Sequence, residues 1–156
     1  MKKLLVLSAP AAMLASGTAL ADTSDKKIAF SNNYAGNSWR QAMLKSYDAV
    51  TKKAVADGVV AASDVFTTAD QEVPTQAAQT QNLILQGYDA IVINASSPDA
   101  LNGAVKQACD AGIVVVAVDQ AVPDPSAYVI SNNQEEYAYV GAKWLFEQLG
   151  GSGDVV

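Results

Sequence analysis

Along this chain, short continuous apolar runs alternate with longer stretches whose apolar residues recur three and four apart, which predicts strands and helices in turn. Lys27 to Ser31 reads as a strand, after which Trp39, Met43, Tyr47, Val50 and Ala54 keep helical spacing until Gly58 ends the helix. A second strand is expected around Asp64 to Thr67, with Thr67, Thr68 and Asp70 read as a capping segment. The next helix carries Pro74 in its first turn and sets Ala77, Thr80, Leu83 and Ile84 on one face before Gly87. Ala90 to Ile93 is a compact apolar strand, and Asp99 to Ala111 a helix with Leu101, Val105 and Ala108 inward. Ile113 to Val118 is apolar without alternation, which predicts a strand covered on both faces, and Asp119 closes it. A short fifth strand, Tyr128 to Ile130, precedes a helix over Gln134 to Leu149 with Tyr137, Val140, Gly141, Trp144 and Leu145 on one side. Asp154 to Val156 reads as the opening of a further strand.

Strands alternating with helices at this spacing imply right-handed crossovers and an α/β fold with a doubly wound parallel sheet. Ligands of such sheets bind beyond the carboxyl ends of the strands, where strand order switches. The residues just after each strand are therefore the candidates for function.

The first 21 residues have a separate logic. Lys2 and Lys3 precede the apolar stretch Leu4 to Met13, and small residues stand at Ala19 and Ala21, the pattern of a secretory signal cleaved after Ala21. Pro10, Ser16, Gly17 and Thr18 interrupt a stretch already shorter than the ~20 apolar residues of a spanning helix. The mature chain is expected to be soluble outside the cytoplasm.

Losing Lys2 and Lys3 takes the formal charge from -6 to -8, and the remaining basic residues are scattered, so neither nucleic acid nor an anionic membrane is an expected partner. The sequence has no histidine, which removes the usual general base and the commonest metal ligand. Its single cysteine, Cys109, cannot form an intramolecular disulfide and sits in an apolar-periodic helix as a small core residue. No metal or cofactor is expected, and the chain is read as a monomer.

The loop after the first strand, Ser31 to Arg40, gathers Asn32, Asn33, Tyr34, Asn37, Trp39 and Arg40 into ten residues. Amides and a guanidinium can hydrogen-bond neighbouring hydroxyls, and an aromatic face can cover the C–H patch of a sugar ring. The competing reading gives Asn37 or Ser38 to the helix cap and Trp39 to the core. Asp119 and Gln120 follow the apolar fourth strand, where a carboxylate can accept from two vicinal hydroxyls or serve a turn. Asn94 and Ser131 hold the analogous places after the third and fifth strands, as ligand contacts or as cap and turn residues.

Three segments, KKIAFSNNYAGNSWR (26–40), LILQGYDAIVINASSPDAL (83–101) and ACDAGIVVVAVDQ (108–120), together resemble the ribose-binding type of periplasmic sugar-binding protein that serves ABC importers. The resemblance runs from Lys26 to Val156. It implies a type I periplasmic binding fold of two α/β lobes joined by three crossings, with the sugar held between them as a hinge closes. Residues 22–131 then correspond to the N-terminal lobe, Asn132 and Asn133 to the first hinge crossing, and 134–156 to the start of the C-terminal lobe. About half of a typical member is unmatched, so the sequence is expected to be a partial reading frame with reduced sugar affinity.

By the same resemblance, Asn32 to Arg40 supply polar and aromatic contacts, Asn94 and Ser131 add hydrogen bonds, and Asp119 grips ring hydroxyls. Many relatives place an arginine directly after that aspartate, where this chain has Gln120. The implied function is capture of a monosaccharide or polyol for the permease of an ABC importer in the inner membrane, without catalysis. A role in presenting ligand to a chemoreceptor or sensor kinase is the alternative within this class. A secreted flavodoxin-like enzyme would need a phosphate loop or a nucleophile with its base, and the run Gly150 to Gly153 lacks the strand-to-helix context for the former. A sugar-responsive repressor would lack its helix-turn-helix and would not carry an export signal.

Overall fold

The computed structural model describes residues 22–154; the export signal over residues 1–21 and the end of the expected last strand lie outside them. The elements run β1 (Lys27–Asn32), α1 (Ser38–Ala56), β2 (Ala62–Thr67), α2 (Val73–Leu85), β3 (Ala90–Asn94), α3 (Pro98–Asp110), β4 (Val114–Val118), β5 (Tyr128–Ile130) and α4 (Gln134–Gln148). All strand pairings are parallel and the order is β2-β1-β3-β4-β5. The α/β parallel sheet expected from the alternation is thus present, with every element within a few residues of its predicted place.

The topology fixes where a ligand could lie. From β1 the chain moves outward to β2, then returns past β1 to β3 and continues the other way. Right-handed crossovers of opposite direction must use opposite faces, so α1 lies on one side of the sheet and α2 and α3 on the other. The loops leaving β1 and β3 diverge, and a crevice opens at their carboxyl ends.

The main core fills the α2–α3 side. Ala29, Ile91, Ile93, Val115 and Ala117 project from the strands onto Leu83, Leu101, Val105 and Ala108. Burial of each large aliphatic side chain here stabilises the fold by about 1.5–3 kcal/mol. Tyr88 closes the amino-terminal end of this core, with its ring edge-on to Phe66 and its hydroxyl donating to Asp64 Oδ2 at 2.7 Å. The Cys109 side chain packs against the core, and burial, reinforced by the charge of Asp124, pushes its thiol pKa up.

Three expectations are corrected on the other side of the sheet and at its edge. The fourth strand is covered on one face only: Val115 and Ala117 are buried, whereas Val114 is 49% exposed and Val116 and Val118 are half-buried. An apolar run reports that a strand avoids charge, and whether both faces are covered depends on helices elsewhere; α1 packs over β1 and β2, where Tyr47 meets Phe30 with ring centroids 4.8 Å apart. Val50 belongs to the periodic set on α1 yet is 69% exposed, because the face turned to the sheet runs through Met43, Leu44, Tyr47, Thr51 and Ala54. Thr67, Thr68 and Asp70 do not cap α2, whose cap position is Glu72. Thr68 is instead buried, and its N–H donates to Asn32 O at 2.9 Å, carrying the sheet pairing one residue further. In α4, Tyr137, Val140 and Trp144 are exposed among the described residues. None of the described helices is long and apolar enough to cross a membrane.

Candidate functional site

The carboxyl ends of β1, β3 and β4 bring together side chains that are far apart in sequence. Asn32 is the last residue of β1 and Asn94 the last of β3; they pair in the sheet register and are fully buried. Asp119 follows β4, and its backbone is fixed by its N–H donating to Ile130 O at 2.9 Å. Its φ of 66° lies in the left-handed region, unusual for a residue with a Cβ and most tolerable for Asp or Asn. In that conformation Asp119 Oδ2 accepts from Asn94 Nδ2 at 3.3 Å and lies 3.4 Å from Arg40 Nη2. The pair is well shielded, with the Arg40 side chain 11% exposed and that of Asp119 24%.

Arg40 reaches this position because α1 begins one turn earlier. Asn37 caps that helix, its side-chain oxygen accepting from Arg40 N at 2.8 Å. Arg40 also lies against the indole of Trp39, its guanidinium carbon 5.2 Å from the ring centroid, an arrangement favourable for cation–π attraction. The guanidinium next to the aspartate therefore comes from the start of α1, while Gln120, directly after Asp119, is exposed.

The asparagines are anchored through their nitrogens, which leaves their oxygens available. Asn32 Nδ2 donates to Tyr34 O at 2.8 Å and Asn33 Nδ2 to Ala95 O at 3.1 Å. Asn32 Oδ1, Asn33 Oδ1, Asn94 Oδ1, Thr68 Oγ1, Ser96 Oγ and Arg40 Nη1 are buried without a hydrogen-bond partner. These six belong to the ends of β1, β2 and β3 or to the start of α1, and a seventh such atom, Asn102 Oδ1, lies on α3. An unpaired buried polar atom costs about 1–3 kcal/mol, so the groups gathered at this one sheet edge call for partners from outside the chain, either water or a ligand.

Beside this polar edge is a pocket of about 320 Å³ between α1 and the sheet, lined by Trp39, Met43, Tyr47 and Val118 and bounded by Asp119 and Ser131. Burial raises the Tyr47 phenol pKa, and its hydroxyl exchanges a hydrogen bond with Ser63 at 2.8 Å, away from the edge. Trp39 is 53% exposed, more open than a core role would leave it.

Of the residues singled out from sequence, Asn32, Asn33, Arg40, Asn94 and Asp119 converge, with Tyr34 partly buried beside them. Trp39 and Ser131 flank the apolar pocket, and Asn132 joins them there. Asn37 has a capping function, as does Asn133, which accepts from Glu136 N at 3.0 Å at the start of α4. Gln76 and Ser96 carry no expectation from the sequence, and Thr68 is expected from it only as part of a capping segment. A polar residue in register with the inward face Thr80–Leu83 was the one available sign for Gln76. Among the described residues no three His, Cys, Asp or Glu side chains are grouped to hold a metal ion.

The sequence matches the periplasmic binding protein domain over residues 28–156. A xylitol-binding protein of Mycolicibacterium smegmatis is 35% identical over 95 residues, which is 59% of this chain and 27% of that protein. The ABC transporter solute binding protein from Thermobispora bispora superposes with a TM-score of 0.76 at 39% identity, over 83% of this chain and 40% of that one. An ABC sugar transporter subunit from Rhodobacter sphaeroides does so with a TM-score of 0.67 at 28% identity, over 82% and 43%. The chain thus spans less than half the length of each of these relatives.

Proposed function

Because this chain belongs to the periplasmic binding protein domain family, we propose that it is the ligand-binding part of an exported carrier that captures a monosaccharide or polyol for an ABC importer. In this reading residues 1–21 direct export and are removed after Ala21, and residues 22–131 form one lobe. Asn132 and Asn133 make a hinge crossing, and residues 134–156 begin a second lobe. The partner is the importer's permease in the inner membrane.

The observation that carries the reading is the set of buried, unpartnered polar atoms around Asp119, with acceptors on Asn32 and Asn94 and a donor on Arg40. A hydroxyl both donates and accepts, so adjacent hydroxyls of a polyol or sugar can satisfy Asp119, Asn32 and Asn94 as donors while accepting from Arg40. Each bond to the charged groups contributes about 1.5–3 kcal/mol. Trp39 and the apolar pocket offer the surface that a carbon-bound hydrogen face requires. The family relation to a xylitol-binding protein favours a small polyhydroxylated ligand. Hydrogen-bond capture needs no covalent step, and the edge supplies amides, a guanidinium and a carboxylate for it.

The test is an NMR titration of the ¹⁵N-labelled chain with xylitol and with D-ribose. Saturable shifts of the Asn32 and Asn94 side-chain amides, lost in Asp119→Ala, are expected. Saturable shifts confined to other parts of the surface, or none for either compound, would refute the assignment.

A further inference from the structure

We propose that Gln76 is the positioning residue of the binding edge: its buried side-chain amide ties the end of β1 to the end of β3 and sets where Asn32, Asn33 and Asn94 present their oxygens. This rests on the functional reading above and adds a residue that lies outside the ligand-facing set.

Gln76 is on α2, one turn past its start, and is 0% exposed. Its amide is satisfied from three directions. Nε2 donates to Asn94 O at 2.9 Å and to Ser31 Oγ at 3.2 Å, and Oε1 accepts from Ser96 N at 2.8 Å. Ser31 Oγ in turn donates to Gln79 Oε1 at 2.7 Å, adding a second link between β1 and α2.

The bonded groups explain what the amide does. Beyond Asn94 the backbone leaves the sheet, and its polar groups lose the regular partners that a strand provides. Asn94 O and Ser96 N go to Gln76, while Ala95 O between them goes to Asn33 Nδ2 at 3.1 Å. Three successive residues of the β3 exit are therefore held by two side chains, one from α2 and one from the loop after β1. The same contacts hold Asn33, whose oxygen remains unpartnered. Rotation of the exit by a fraction of an ångström would move Asn94 and Asn33 relative to Asp119.

Simple core filling does not call for an amide here. Neighbouring inward positions on α2 hold Leu83, which is apolar, and Thr80, whose hydroxyl returns to its own helix at Gln76 O, 3.0 Å away. A buried amide is favourable only when every polar atom finds a partner, and the partners of Gln76 lie at the two strand ends that carry the site.

The test compares Gln76→Met, which keeps length and volume but no hydrogen-bonding group, with Thr80→Val, which removes a buried hydrogen bond from the same helix without touching the strand ends. Three readouts are followed in the ¹⁵N-labelled chain: Tm, the Kd for xylitol, and hydrogen exchange of Ser96 N–H relative to Ile91 N–H in the core. For Gln76→Met the Kd is expected to weaken about tenfold, because small misplacement of binding groups is costly, and Ser96 exchange to accelerate relative to Ile91. Thr80→Val should lower Tm while leaving Kd and the exchange ratio unchanged.

A Gln76→Met protein that binds within twofold of the parent, or an equal loss of affinity in Thr80→Val, overturns the proposal. If the parent chain binds neither xylitol nor D-ribose, the functional reading fails on its own, and the exchange ratio alone decides whether Gln76 holds the β3 exit. Should Gln76→Met not fold, Ser31→Ala removes one of the bonds to the amide and is expected to weaken Kd about threefold, an unchanged value again counting against the proposal.

Discussion

Replacing Asp119 by glycine and by alanine separates its backbone from its carboxylate. Both changes remove the contacts to Arg40 and Asn94, so the two variants share that loss. They differ in the cost of holding φ at 66°, which is about 1–2 kcal/mol for a residue with a Cβ and close to nothing for glycine. Glycine's greater freedom in the unfolded chain offsets about 0.4–1 kcal/mol of that advantage. The glycine variant should therefore be the more stable by about 0.5–1 kcal/mol. With a urea slope of about 1.5 kcal/mol per molar, the unfolding midpoints should differ by about 0.3–0.7 M. Urea melts followed by tryptophan fluorescence give this difference, provided the slopes agree. In the same preparations the Kd for xylitol should be weakened about 10–150-fold, and equally in both variants, because each lacks the charged acceptor. An alanine variant as stable as the glycine variant would refute the left-handed assignment. Unaltered affinity in both would return Asp119 to a turn residue.

Tyr88 makes stability depend on alkaline pH. Burial, then its hydrogen bond to Asp64 and the charge of that carboxylate, raises its pKa from 10.0 to about 12. The unfolded chain loses this proton first, so the stabilisation is intact below pH about 10 and is lost as pH rises toward about 12. Denaturation at pH values on either side of 10 should show that decline, and Tyr88→Phe should remove its share. Asn37→Ala deletes the cap of α1 and should cost about 1 kcal/mol, or roughly 3–5 °C in Tm by calorimetry; Asn37→Ser should recover most of it. A loss that serine does not recover would show that the asparagine does more than cap.

The order and limits of the elements were legible because spacing of apolar residues is a local property. Leu101, Val105 and Ala108 announce the inward face of α3, and Ile91 and Val115 the centre of the sheet, without knowledge of the partner surfaces. The carboxyl-edge rule then directed attention to Asn32, Asn94 and Asp119. The contact between Arg40 and Asp119 was not legible, since it depends on the angle at which α1 leaves the sheet. That angle also supplies the guanidinium which the sequence at Gln120 withholds. Coverage of the second face of β4 was misjudged for a related reason: Val114 to Val118 specify an apolar strand, while the helix that covers it is set by topology. Gln76 escaped because glutamine on a helix ordinarily reads as surface. Its register with Thr80 and Leu83 could have drawn notice, but the two strand ends it meets are not encoded nearby.

The partners of Gln76 at the β3 exit also bear on how such a site can diversify. Asn94 O and Ser96 N are main-chain atoms, as is Ala95 O, the partner of Asn33. Main-chain groups persist through almost any substitution at those positions. The side chains at 94 and 96 can therefore change while the frame that aims them stays in place, whereas Ala95, 1% exposed, is held small by the core around it. An edge framed in this way can change what it meets one residue at a time, while changes at Gln76, or at Asn33 and Ser31 that share its frame, would disturb every ligand alike.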